Sequence, residues 1–273
     1  MTIHLAFITY NRLDYTKLAL ASVLADPTEE FSLTIWDNAS TDGTVEYLKK
    51  EVNDPRISDV IFFKENIGQT AAVNKIWSNS KADLLGKLDN DCLITPGWTR
   101  ILARAHRDIP KLGVVACWHF RPEDFDYERA KHKIQTFGKH QILRHPWTCG
   151  TGLLFKRETF ERFGPMQGKG TTDYWLRMAL AGYVNGYYYP LVCQEHMDDP
   201  RSPHTLLKSD EDLQRYMPVT SGTFGILSLG GWIQFLREDA MMTQVASADP
   251  KHYVGWRAIL RRLKGKLRRI IGR

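Results

Sequence analysis

The chain has 273 residues, 43% of them hydrophobic, and a net charge of +6, which is enough apolar material for a full buried core. Four widely spaced cysteines, Cys92, Cys117, Cys149 and Cys193, form no Cys-x-x-Cys pair, arguing against structural zinc and for isolated thiols in a reducing compartment. No signal peptide is expected, since Met1-Thr2-Ile3-His4 leads directly into an apolar run. The apolar stretch Phe224 to Leu236 is broken by three glycines and a glutamine and is too short to span a bilayer.

Ile3 to Ile8 is an apolar run of strand length, followed by Thr9-Tyr10-Asn11-Arg12 and a helical pattern through Leu13, Leu18, Leu20, Val23 and Leu24. A second run, Phe31 to Trp36, stops at Asp37-Asn38-Ala39-Ser40-Thr41-Asp42-Gly43-Thr44, a loop rich in turn formers and N-caps that feeds a helix over Val45 to Lys50. The third run, Val60 to Phe63, precedes Asn66-Ile67-Gly68-Gln69 and a helix through Ala71, Ala72, Ile76 and Trp77. The fourth, Leu84 to Leu88, ends in Asp89-Asn90-Asp91. Strands alternating with helices at this spacing predict an α/β fold with a mostly parallel sheet, whose ligands bind beyond the carboxyl ends of the strands.

Side chains alternate along an extended segment, so Asp89 and Asp91 can share one divalent cation while Asn90 looks away. A hard cation held by few carboxylates completes its shell with water and phosphate oxygens, which points to a nucleoside diphosphate. The same triplet also suits a plain turn, where short polar side chains bond their own backbone.

Thr9 to Arg12, Asp37 to Thr44, Asn66-Ile67-Gly68 and Asp89-Asn90-Asp91 together resemble, in order, four motifs of the GT-A glycosyltransferases, in particular the family 2 group. The resemblance continues through Gly150 to Arg157, Phe163-Gly164-Pro165 and Asp173 to Tyr183 and covers about residues 1 to 200. It implies a Rossmann-like GT-A domain with a C-terminal helical extension. The expected division is a donor half at about 1–92, an acceptor-side half at about 93–200, a turn-rich and helical extension at 201–250 and a basic tail at 251–273.

The resemblance implies nucleotide-sugar contacts at Thr9, Asn11, Arg12, Asp37, Gly68 and Asp89, and a Mn²⁺ or Mg²⁺ site at Asp89, Asp91 and His196. The residues themselves leave alternatives. Asp37 suits either a base or ribose hydrogen bond or a local cap, Arg12 either a phosphate or solvent, Gly68 mainly a permissive backbone angle, and Lys87 either the diphosphate or a surface acid. His196 follows the apolar run Tyr187 to Val192, and its imidazole is compatible with Mn²⁺.

Inverting transfer requires a carboxylate to accept the acceptor hydroxyl proton. Anchoring the alignment on Arg177 and Ala181-Gly182-Tyr183 puts Asp173 on the second acid of the family motif and Thr171 where the usual base falls. Asp173 is the expected base, with an N-cap as its other reading and with Asp198 and Asp199 as substitutes.

His119 to His145, rich in aromatics and charge, is expected to be a loop with a short helix over the acceptor side, and 198–222 a turn-rich mobile connection that orders over nucleotide. After position 256 there are eight basic residues and no acid, and Trp256, Ile259, Leu260, Leu263, Leu267, Ile270 and Ile271 form one apolar helical face. Such a segment suits an anionic membrane surface or packing on the domain. The expectation is a metal-dependent, inverting transferase acting on a glycan or lipid-linked glycan hydroxyl in cell-surface polysaccharide biosynthesis. It would be cytoplasmic or peripheral at the inner membrane face, with no nucleic-acid partner. A nucleotide- or glycan-binding module without turnover is the alternative.

Overall fold

The computed structural model describes residues 1–27, 31–168 and 171–255, so the tail at 256–273 and its expected membrane contact lie outside the described residues. The N-terminal half alternates as the apolar runs require: β1 (Ile3–Thr9), α1 (Leu13–Leu24), β2 (Phe31–Asp37), α2 (Thr44–Lys50), β3 (Ile57–Phe62), α3 (Gln69–Asn79) and β4 (Leu84–Asp89). It continues through β5 (Cys92–Ile94), α4 (Trp98–Asp108), β6 (Leu112–Ala116), α5 (Tyr127–Ala130), β7 (Ile134–Phe137), β8 (His140–Arg144), β9 (Leu153–Lys156), α6 (Arg157–Phe163), α7 (Thr172–Leu180), β10 (Val184–Tyr189) and β11 (Gln194–His196). Three helices follow, α8 (Asp210–Tyr216), α9 (Val219–Phe224) and α10 (Leu229–Val245).

The nine-stranded sheet has the order β3-β2-β1-β4-β9-β6-β10-β8-β7, and its pairings make seven strands run one way, with only β9 and β8 reversed. This is the expected mostly parallel α/β sheet. Along β1, Leu5 and Phe7 join one core with Leu33, Ile35, Tyr15, Trp98 and Leu102. Ala6 and Ile8 join the other with Trp36, Val73, Trp77, Phe155 and Trp175. The period-two alternation thus commits each face of the sheet to its own helical layer.

Register then levels the strand ends. Thr9 pairs with Asp37 and Ile8 with Asp89, so the polar residues that end β1, β2 and β4 form a row on neighbouring strands. Parallel strands lie about 4.8 Å apart, and such a row at the carboxyl edge of the sheet is a ready site for a polar ligand.

Two connections differ from expectation. Within His119 to His145, the short helix is present as α5, but Ile134 to Arg144 form a hairpin that extends the main sheet through β8 and β10. The adjacent buried pair Ile142 and Leu143, set between Gln141 and Arg144, was masked by the surrounding charges. The segment after His196 carries contacts that its sequence did not signal. Asp198, Asp199, Ser202, Thr205 and Leu207 are buried, and Arg201 donates to Asp124 at 2.7 and 2.8 Å while bonding Asp199. Its Pro and Asp content signalled turns but not the ion pairs that hold them.

Candidate active site

The first loop stitches itself to the second. Asn11 and Arg12 both have left-handed backbones, φ 53° and 59°, a conformation that ordinary residues hold only when their surroundings fix it and that clusters at functional sites. The Asn11 N–H donates to Ser40 Oγ at 2.7 Å, and its side-chain oxygen accepts from the Thr41 N–H at 2.8 Å. Asn38 in turn donates to Asn66 at 2.8 Å, and Asn66 accepts the Gly68 N–H at 2.9 Å. Gly68 itself has φ 78° with open space where a side chain would stand, so its backbone angle is what glycine supplies there.

Within this frame Asp37 is 1% exposed, with one oxygen accepting the Ser40 N–H at 3.0 Å and the other, Oδ2, buried without a partner among the described residues. A buried acceptor is ordinarily satisfied, so Asp37 has unused capacity for a ligand donor beside its capping bond. Thr9 faces inward, its hydroxyl 2.8 Å from that of Thr16 and accepting from Asn90 at 3.1 Å, and is occupied by the fold.

Alternation on β4 puts Lys87 and Asp89 on one face, and they meet. Lys87 is 1% exposed, its ammonium 2.6 Å from each Asp89 oxygen, 2.6 Å from Gln69 Oε1 and 2.8 Å from the Gly150 carbonyl. Lys87 thus pairs with the motif acid Asp89 rather than with a surface acid. Burial raises the Asp89 pKa, opposed by Lys87 and reinforced by the nearby charge of Asp91. Asn90 turns the other way, donating to Thr9, Thr16 and the Asn11 carbonyl.

Asp91 meets His196 through the small second sheet. β5 pairs with β11 so that Cys92 stands opposite His196, and the Met197 N–H donates to the Asp91 carbonyl at 2.8 Å. One ligand atom each from Asp91, His196 and Asp198 lies within 4.8 Å of the others. His196 Nδ1 and Asp198 Oδ1 are buried without partners among the described residues. Two carboxylates, an imidazole and orphaned buried acceptors suit Mn²⁺ or Mg²⁺. Asp89 and Asp91 therefore part company: Asp89 is held by an ammonium, and Asp91 joins a group that includes Asp198, which the sequence offered only as a substitute base.

Arg12 ties this group to the first loop. It donates to Asp198 Oδ2 at 2.6 Å and to the Tyr216 carbonyl at 2.9 Å, so each of its terminal nitrogens has a partner within the fold. Burial raises the Asp198 pKa against the pull of Arg12. Burial acts on Asp91 in the same sense, but His196 and Arg12 outweigh it and leave its pKa lowered. One acid of the cluster is thus held below the ordinary carboxylate range.

The expected base does not reach this group. On α7, Tyr174, Trp175, Met178 and Ala179 are buried, whereas Asp173, Arg177 and Leu180 are exposed. Helical geometry puts Asp173 nearly half a turn from Trp175, on the outer face, and puts Thr171 on the inner one. A side chain built on Gly150 would lie 3.9 Å from both Lys87 Nζ and Thr171 Oγ1. The motif position itself therefore faces the site, and the acid two residues later faces away. Asp199, the other substitute, is taken by Arg201. Sequence reasoning passed over His119, which stacks on Tyr187 at 6.2 Å and whose pKa is lowered to about 3 by burial and by His196.

A family model, glycosyl transferase family 2, matches residues 5–164. Among solved structures, the mannosyltransferase PcManGT from Pyrobaculum calidifontis, in complex with GDP-Man and Mn²⁺, is 19% identical with a TM-score of 0.60, covering 97% of this chain and 80% of its own. TarS 1-349 from S. aureus in complex with UDP-GlcNAc is 13% identical with a TM-score of 0.55, covering 93% of this chain and 75% of its own. Curated protein sequences give no match. No helix among the described residues is long and apolar enough to cross a membrane. The likeness to the solved structures is one of fold, and the family match spans more than half of the 273 residues, from the first strand past the paired acids to the end of α6: the chain belongs to glycosyl transferase family 2.

Proposed function

We propose that this chain transfers a hexose from a nucleoside-diphosphate sugar to a hydroxyl of a glycan or lipid-linked glycan, with inversion at the anomeric carbon and with a Mn²⁺ or Mg²⁺ ion held by Asp91, His196 and Asp198. The observation that carries the proposal is the levelled row of Thr9, Asp37 and Asp89 at the sheet edge, with the Asp91, His196 and Asp198 group beside it. Asp37 offers its unpartnered oxygen to a base N–H or ribose hydroxyl. When bound, the cation neutralises the charge that develops on the departing diphosphate. Asp91 and His196 would hold it, with Asp198 fixed beside them by Arg12, and Lys87 keeps Asp89 in place without adding net negative charge. Complexes of the structural neighbours with GDP-Man and UDP-GlcNAc support a donor of this class. The basic composition of 256–273, eight Lys and Arg residues with no acid, supports work at the inner face of an anionic membrane.

The test is nucleoside diphosphate release from a panel of UDP- and GDP-sugars, with and without a chelator. Release that stops on chelation and is restored by Mn²⁺ is expected, and release indifferent to chelation refutes the metal assignment. A second reading, donor binding without turnover, has one observation in its favour: Thr171 stands where the family motif carries its base. Metal-dependent binding of the donors with no release would establish it.

A further inference from the structure

A groove of about 720 Å³ opens between the β7–β8 hairpin and residues 245–250, which end α10 and follow it. That volume lies in the range of small-molecule sites, and no residue of the donor row or of the cation group lines it. From the hairpin it is lined by His132, by Lys133 just before β7, by Gln135, and by Arg144 at the end of β8. Ser247 and Asp249 line it from the segment after α10.

The cations of this groove are paired unlike the others in the protein. Arg12, Arg56, Lys87 and Arg201 are all withdrawn from solvent, and their carboxylate partners lie at 2.6, 2.9, 2.6 and 2.7 Å, as is usual for buried cations. Lys133 is 5% exposed and has no carboxylate partner among the described residues. Its ammonium donates to the Thr243 carbonyl at 2.5 Å and lies 3.3 Å from His145 Nδ1, which leaves one of its three donors unused. Arg144 is half-buried and also lacks a carboxylate among the described residues. It donates through Nη1 to Gln135 Oε1 at 2.6 Å, while its Nε is buried without a partner there. Burial accordingly lowers both pKa values, that of Lys133 to about 8, with no acid acting against it. Asp249, the acid of the lining, caps its own chain by accepting the Lys251 N–H at 2.9 Å.

Two withdrawn cations without a counter-charge, set side by side on a groove, are a site for an anion. A guanidinium fork beside an ammonium matches a phosphomonoester, which brings about −1.5 to −2 charge at neutral pH and three acceptor oxygens, better than a carboxylate, which brings one charge and two oxygens. We propose that this groove binds a phosphomonoester, carried by a sugar or by a lipid headgroup, with Lys133 and Arg144 as its cationic donors. Ser247 adds a hydroxyl: its oxygen accepts the Asp249 N–H at 3.1 Å, and its own proton is left to donate. From His145, which meets Lys133, five residues of chain lead to the Gly150 carbonyl bonded by Lys87, a span of at most about 18 Å. A phosphorylated molecule held in the groove is therefore one short segment of chain from the donor site, and its binding is independent of turnover there.

The experiment titrates the full chain, without Mn²⁺, with inorganic phosphate, glucose 6-phosphate and glucuronate by calorimetry, and measures its co-sedimentation with phosphatidylcholine vesicles with and without phosphatidic acid. Wild type, Lys133→Met, Arg144→Gln and Lys139→Gln are compared after thermal unfolding has shown that each is folded. Lys139 is an exposed cation that bonds Asp108 at 2.9 Å and does not line the groove, so its variant controls for the loss of one charge. Saturable binding of glucose 6-phosphate is expected, weaker by at least about tenfold in Lys133→Met and in Arg144→Gln and within about twofold of wild type in Lys139→Gln, with glucuronate weaker than inorganic phosphate. A lipid source gives instead glucose 6-phosphate no tighter than inorganic phosphate, and retention on phosphatidic acid vesicles that falls in the same two variants. Should Lys133→Met fail to fold, Arg144→Gln at the half-buried position decides. Glucuronate bound as tightly as phosphate would overturn the phosphomonoester assignment. Absence of saturable binding, or phosphate affinity and vesicle retention both unchanged in Arg144→Gln, would overturn the site and leave the transferase reading untouched.

Discussion

Replacing Lys87 by methionine keeps the stem of the side chain and deletes the ammonium. That ammonium is surrounded by two oxygens of Asp89, Gln69 Oε1 and the Gly150 carbonyl, all within 2.8 Å. Removing one partner of a buried ion pair costs about 3–5 kcal/mol, because the other charge is left uncompensated. The Asp89 side chain is 23% exposed, so water recovers part of the loss and the lower end, about 3 kcal/mol, applies. For a chain of this size each kcal/mol moves the midpoint by about 2–4 °C, which sets the expected fall at about 6–12 °C. Thermal unfolding measured without divalent ions reads it directly. Lys87→Met with Asp89→Asn should recover at least half of the fall, because the orphaned charge is gone, and that coupling is what a double-mutant cycle isolates. A midpoint within 2 °C of wild type in the single variant, or a double variant no better than the single, would refute the pairing as an electrostatic clamp.

Asp91→Asn should weaken Mn²⁺ binding by at least about tenfold, and Trp232→Phe, which removes the 2.7 Å bond to the Asp198 carbonyl, should weaken it by about tenfold through loss of orientation; calorimetric titration of Mn²⁺ checks both. Gly152→Ala should destabilise by about 2 kcal/mol or more, since its φ is +59° and a Cβ there would stand 2.2 Å from Gln194 Oε1, as read by the urea midpoint. Burial lowers His106 and His145 to pKa values of about 3. Both are charged only in the unfolded chain between that value and about 6.5, and each subtracts up to about 1.4 kcal/mol of stability per unit as pH falls through that window. Asp239, whose folded pKa is raised, acts in the opposite sense between its ordinary value and about 6. Wild-type stability should therefore decline on acidification from pH 6.5 to 5, and Asp239→Asn should decline more steeply. A flat profile in urea unfolding would contradict the buried neutral histidines.

The donor half was legible because its signals are local. The apolar runs at Ile3, Phe31 and Leu84 became β1, β2 and β4 to within a residue, and the polar loops that end them became the row at the sheet edge. A strand buried on both faces writes itself as a continuous apolar run. The acceptor side was less legible because it is built from distant contacts. Arg201 reaches Asp124, Arg12 reaches Asp198, and Trp232 reaches the Asp198 backbone, across separations from 34 to 186 residues. Nothing in local composition specifies such pairings. Lys87 and Asp89 stand two apart on a strand and share its face, but the sequence left Lys87 undecided between the cleft and a surface acid, and only the contacts of β4 show the pair.

The division of the two motif acids has a consequence for the site as a whole. If Asp89, Asp91 and Asp198 all met one cation, three carboxylates would press their charge onto a ligand that also brings a diphosphate, and like charges at short range disfavour one another. Lys87 takes up Asp89 and Arg12 takes up one oxygen of Asp198, so the charge turned toward a cation is that of Asp91 with the free oxygen of Asp198, alongside the imidazole of His196. A weakly charged cage binds its ion modestly by itself and more firmly when phosphate oxygens complete the shell. Mn²⁺ affinity should accordingly rise at least about fivefold in the presence of a saturating nucleoside diphosphate, with the reciprocal rise in nucleotide affinity that linkage demands. Equal Mn²⁺ affinity with and without nucleotide would mean that the ion and the diphosphate do not meet, and the cation group would then have to be separated from the donor row.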